Sequence, residues 1–202
     1  MSLLSSTASI TRYRVDGKIE SNLLETIYTG LKEQMIPEIE DASEKVVGWT
    51  SFDNPFNPNF EGSSFSIGNY LIFSLRIDKK TIPPKIIKKY YAIEVNKRLK
   101  ESGREYLSRQ EQKMAKDHVI NVLALRIPAT PNIYDLIWNY EESVLWFFSN
   151  LKAANEELED LFFKSFKLNI VRLFPYTMAH FADGLSDSEV DSLNHLQPAG
   201  FF

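Results

Sequence analysis

The sequence predicts an α+β fold: a mainly antiparallel sheet with flanking helices and a protruding basic helical hairpin. Three observations lead there. Short runs rich in β-branched and aromatic residues recur at 8–15, 46–52, 70–77, 132–140, 144–149 and 169–173, each bounded by turn residues. Between them lie longer segments with apolar residues at helical spacing. Finally, charge is unevenly placed: residues 79–116 hold twelve Lys and Arg against four Glu, a local net of +8, while the other residues carry eleven basic and twenty-three acidic side chains, a net of −12.

The bulk numbers of this 202-residue chain fit one domain, or one domain with an appendage, its core rich in aromatics, since the chain has 14 Phe, 9 Tyr and 3 Trp. The absence of Cys excludes disulfides, thiolate metal sites and a thiol nucleophile. No basic region followed by an apolar run opens the chain, and no apolar stretch approaches the length of a bilayer crossing. A cytoplasmic protein is the expectation.

In chain order, the first strand (8–15) contains Ile10, Arg12, Tyr13 and Val15 and leads into the turn Asp16-Gly17. Ser21 can cap a helix carrying Leu23, Leu24, Ile27, Tyr28 and Leu31, with Pro37 just beyond its end. After a short strand at 46–52, residues 53–60 hold two Asn-Pro pairs and read as a loop. Tyr-Leu-Ile-Phe-Ser-Leu-Arg-Ile at 70–77 is the clearest early strand.

The hairpin, 83–127, follows. Pro83 and Pro84 suit a first helical turn, where a missing N–H costs nothing. Gly103 can take the left-handed position that ends the helix. Ser108-Arg109-Gln110-Glu111 has the spacing of a capping box, so a second helix starts there and stops near Pro128. Beyond it, 132–140 and 144–149 form a strand pair joined through Glu141-Glu142-Ser143. The helix at 153–166 should turn Leu158, Leu161, Phe162 and Phe166 inward and Glu156, Glu157, Glu159 and Asp160 mostly outward. After the strand at 169–173 the chain becomes polar. The body is thus 1–176 and the tail 177–202, in which Ser186 and Glu189 can cap one short helix with Val190 and Leu193.

The hairpin carries the candidate site. At about 100° per residue, Lys85, Lys88, Lys89 and Lys100 fall within about 120° of the first helix, and Arg109, Lys113 and Lys116 within about 60° of the second. Ile86, Ile87, Tyr90, Tyr91, Ile93, Val95 and Leu99 take most of the rest of the first helix, and Met114, His118, Val122 and Leu125 the far side of the second. Lys97 and Arg98 break the pattern. Such a stripe suits phosphates, because lysines near a duplex release condensed counterions. The competing reading is a solvated Lys-rich face.

Other chemistry finds little footing. His118 sits on the apolar side of its helix, which suggests a core histidine, and no two of the three histidines have metal-ligand spacing. The acids 156–160 are consecutive on a helix, where a two-metal site needs converging carboxylates. The glycines at 30, 48, 62 and 68 are isolated, so there is no phosphate-cradling loop. No catalytic residue, metal or cofactor is expected.

From residue 70 onward the chain reads Tyr70-Leu71-Ile72-Phe73, then Asp78-Lys79-Lys80-Thr81-Ile82-Pro83-Pro84 and Ile86-Ile87-Lys88, and in these segments it resembles the recombination-associated RdgC family. The resemblance continues through 121–126, Trp138, 144–148 and 153–166. Upstream, Val47-Gly48-Trp49 and Tyr13-Arg14 resemble further family pairs. Where the family reads proline-arginine-alanine-phenylalanine, this chain has Leu125-Arg126-Ile127-Pro128. Family members run further at the C-terminus, so a shortened relative is expected. The resemblance implies sequence-independent binding of double-stranded DNA by a homodimeric ring, restraint of recombinases and a place on the nucleoid. The alternative is an interaction module of the same fold, its acidic body contacting a basic or recombination-related partner. A nuclease activity follows from the family label alone.

Overall fold

The computed structural model describes residues 3, 5–20, 22–39, 43–181, 185–193 and 195. The order is β1 (Thr11–Asp16), α1 (Leu23–Glu33), β2 (Lys45–Thr50), a 3-10 turn (Glu61–Ser63), β3 (Ser66–Ile67), β4 (Tyr70–Lys79), α2 (Pro84–Ser102), α3 (Arg109–Ala124), β5 (Thr130–Asn139), β6 (Val144–Phe147), α4 (Lys152–Phe166), β7 (Asn169–Arg172), α5 (Pro175–His180) and α6 (Asp187–Leu193). The strands form one sheet in the order β2-β4-β5-β6-β1-β7, with β3 beside β4. The pairs β1–β6, β1–β7, β3–β4 and β5–β6 are antiparallel. The fold is α+β, as the sequence predicts. Three details differ. The first strand begins at Thr11, three residues late, and β3 and α5 are additional elements. Ser21 lies outside the described residues; Asn22, left-handed at φ 47°, precedes α1 and its amide reaches Glu25 at 3.0 Å. Among the described residues no helix is long and apolar enough to cross a membrane.

Two compact units divide the chain: residues 1–35, 49–75 and 133–202, and residues 36–48 and 76–132. In the first, strand alternation sends Tyr13, Phe73, Leu136, Trp138, Leu145 and Phe147 to one buried face. From α1 come Ile27 and Leu31, and from α4 Leu158, Phe162 and Phe166, all buried. The aromatics interlock: Trp138 and Phe162 meet edge-on with centroids 5.0 Å apart, Phe162 and Phe166 at 4.9 Å, Trp49 and Phe73 at 5.0 Å. The Trp49 indole N–H donates to Ser165 Oγ at 2.7 Å.

A polar network ties the same unit together. The buried Tyr13 hydroxyl lies 2.5 Å from Asn155 Oδ1 and 3.1 Å from Glu159 Oε1. Arg172 Nε donates to that Glu159 oxygen at 2.6 Å. Burial first, and the Glu159 charge second, push the Tyr13 hydroxyl well above its ordinary pKa. Glu159 therefore departs from its expected outward role: it turns along α4 toward β1 and β7.

In the second unit, Arg76 grips the buried Asp78 with two hydrogen bonds of 2.8 and 2.6 Å. Lys80 N–H donates to Glu44 O at 2.9 Å. This unit contains the whole of α2 and α3.

Candidate nucleic-acid interface

The hairpin is built by local signals. Pro84 occupies the first turn of α2, and Gly103 ends it at φ 64°, a left-handed position that glycine adopts without strain. The capping box is complete: Glu111 N–H donates to Ser108 Oγ at 3.3 Å, and Ser108 N–H to Glu111 Oε2 at 2.9 Å. Arg104 Nη2 donates to Glu111 Oε1 at 2.5 Å. That bond first, and the Ser108 donors next, draw the Glu111 carboxyl down to about 2.

The sign of the pH effect follows. A carboxyl held below its unfolded value adds stability that is complete above about pH 4.3 and drains away as pH falls from there toward 2. Helicity of the hairpin should fall over that acid window, and Glu111→Gln should remove this pH dependence. Ser108→Ala should cost roughly 1 kcal/mol of stability, the usual loss for a helix cap. Circular dichroism against pH and urea checks both; no change in the Ser108 variant would show the cap to be idle.

α3 buries Ala115, Val119 and Leu123, and α2 turns the half-buried Ile87, Tyr91, Val95 and Leu99 inward. This corrects the expected core faces. Met114 and Leu125 are 58% and 59% exposed, His118 is also exposed, and Ile86, Tyr90 and Ile93 are solvated on α2. His118 is therefore not a core histidine. With Tyr90, Ile93, Glu94, Val122 and Arg126 it lines a shallow groove of about 110 Å³.

All seven candidate cations, Lys85, Lys88, Lys89, Lys100, Arg109, Lys113 and Lys116, are exposed. Among the described residues none of them has a carboxylate within ion-pair range. Three other hairpin cations are neutralised: Lys97 by Glu101 at 4.0 Å, Arg98 by Glu94 at 2.7 Å, and Arg104 by Glu111. The basic stripes of α2 and α3 are offset from their packing faces in the same rotational sense. In an antiparallel pair that puts Lys85 and Lys88 of α2 on the same side as Arg109, Lys113 and Lys116 of α3, while Lys89 and Lys100 share the outer face of α2 with the exposed Ile86 and Ile93. Lys85, Lys88 and Lys89 lie in the first turns of α2, and Lys100 near its end. Lys88 and Lys100 are thus about 18 Å apart along the axis, the length of roughly five base pairs. The sequence did not show which cations are paired, because that depends on rotamers.

No group of three or more His, Asp or Glu able to hold a metal occurs among the described residues.

An antiparallel sheet with packed helices and a Lys-rich helical hairpin defines the class: an α+β protein that displays exposed positive charge on a helical pair. A family model described as "Putative exonuclease, RdgC" matches residues 8–185. The chain belongs to the RdgC family, and with it to the recombination-associated, DNA-related proteins. No curated protein matches the chain.

Proposed function

We propose that this protein binds double-stranded DNA without sequence preference through the cationic side of its hairpin. One observation carries the reading: among the described residues the seven exposed hairpin cations have no carboxylate within ion-pair range, whereas Lys97, Arg98 and Arg104 are ion-paired. Cations left unpaired in an acidic chain suit an external polyanion. Phosphate contacts of this kind position a protein without reading bases. Binding of this kind would keep the protein on the nucleoid. A second copy of the chain is the partner we assign to the exposed apolar residues of the hairpin, and a recombination-related protein remains the partner under the alternative reading.

Each neutralised phosphate contributes about −0.9 to the slope of log affinity against log salt. Changing Lys88 and Lys89 to Ala should flatten that slope by roughly 1 to 2 units and weaken all duplex sequences alike. Both sites are exposed, so stability should change by about 0.5 kcal/mol or less at each. A folded double variant with wild-type affinity and slope would remove the hairpin from the interface and favour the interaction-module reading.

We assign no catalytic step and no cofactor. Purified protein with magnesium or manganese should leave linear duplex intact. Degradation that disappears when a carboxylate of this chain is changed would overturn that assignment.

A further inference from the structure

The first unit has a second sheet face, on which Ile137 and Trp146 are half-buried. Alternation that buries Tyr13, Trp138 and Leu145 sends Arg12, Arg14, Ile137 and Trp146 to the opposite side. Trp146 stands across from Arg12 on β1 and from Ile137 on β5. Tyr70, 42% exposed on β4, reaches over β5 to within 6.3 Å of the Trp146 ring. Arg12 and Arg14 are exposed, and among the described residues neither has a carboxylate partner. They are held by uncharged groups instead. Arg12 Nη2 lies 3.3 Å from the Met178 sulfur, and the Arg14 guanidinium sits 4.5 Å over the Phe181 ring. Asp135, on the same face, is buried and engaged by Ser74 Oγ at 2.8 Å and Leu3 N–H at 2.6 Å.

We propose that this face is a separate nucleic-acid site, for an unpaired strand, with bases stacked on Trp146 and Tyr70 and phosphates on Arg12 and Arg14. Charge selects the occupant. Outside the basic segment the chain carries twenty-three acids against eleven bases, yet among the described residues no carboxylate pairs with these two arginines, which lie against Met178 and the Phe181 ring. Aromatic rings on a sheet with adjacent cations take bases whose flat faces are free. In a duplex those faces are covered by neighbouring pairs. The site uses no hairpin residue and stands or falls independently of the duplex reading.

Trp146 supplies its own reporter. Trp49 and Trp138 are 0% and 1% exposed, so Trp146 is the tryptophan that solvent and ligands reach. Titrating the whole protein with a thymidine oligomer of about eight nucleotides, within the usual site size, should quench Trp146 emission saturably and shield it from iodide. Trp146→Phe should abolish the emission change yet bind the labelled oligomer, by anisotropy, within about threefold of wild type. Trp146→Ala should weaken binding about five- to hundredfold, the loss of one base–aromatic stack, and Arg12→Ala with Arg14→Ala should weaken it further. The variant with Lys88 and Lys89 changed to Ala should keep the Trp146 response. The proposal fails if the oligomer binds with no change in Trp146 emission, or if the response is lost with those two lysines. It fails equally if Trp146 is shielded from iodide without oligomer as protein concentration rises, because a second copy then covers the face.

Discussion

Phe166→Ala should destabilise the protein by about 3–5 kcal/mol, the cost of deleting a buried aromatic side chain whose surroundings cannot close over the gap. Phe166 is 5% exposed and touches four rings: Phe162 at 4.9 Å, Trp138 at 5.7 Å, Trp49 at 6.0 Å and Phe73 at 6.1 Å between centroids. It therefore joins α4 to β2, β4 and β5 within the first unit. Each of those neighbours has contacts of its own that resist collapse: the Trp49 indole is anchored on Ser165, and Trp138 packs on Phe162 and Tyr140. Such a loss is a large share of the total stability of a domain. Urea unfolding followed by Trp emission measures it directly. A cost under about 1.5 kcal/mol would mean that the cluster repacks and that the ring contacts are not the main tie between α4 and the sheet.

The same cluster shows what a sequence can and cannot display. Phe162 and Phe166 were legible as inward residues because helical period alone places them with Leu158 on one face of α4. The caps of the hairpin were legible for the same local reason: Pro84, Gly103, Ser108 and Glu111 act within a turn of their own position. The two faces of α3 were not. Ala115-Val119-Leu123 and Met114-His118-Val122 are both apolar at helical spacing, and period cannot say which meets α2. The small Ala115 was the available clue, since it lets the helices approach closely. The network of Tyr13, Asn155, Glu159 and Arg172 was out of reach altogether. It depends on β7 pairing with β1, with Tyr13 opposite Arg172, a partnership between residues far apart in sequence. The short β3 was missed because two residues show no alternation, although the Gly68-Asn69 turn beside it carries a hairpin signal.

Gly30→Ala provides the sharper test of how closely α1 and α4 approach. In an open helix the change would stabilise, because Gly is less favourable than Ala in a helix interior by about 0.8–1 kcal/mol. Here a Cβ on residue 30 would lie 2.7 Å from the carbonyl oxygen of Ser165 and 2.8 Å from the nearest atom of the Phe166 ring. One of these neighbours is backbone; the other is a ring enclosed by four aromatics. Neither can give way cheaply, so the sign should reverse, to a net cost of about 1–3 kcal/mol, as for overpacking in a filled core. A smaller side chain at 166 would release part of the clash. Phe166→Leu combined with Gly30→Ala should therefore cost less than the sum of the two single changes, with a coupling of about 0.5 kcal/mol or more. Denaturant midpoints for the two single variants and the double variant close the cycle. If Gly30→Ala proves as stable as wild type, or if the two changes simply add, the helices have room to part and the close approach at Gly30 is not what fixes α1 against α4.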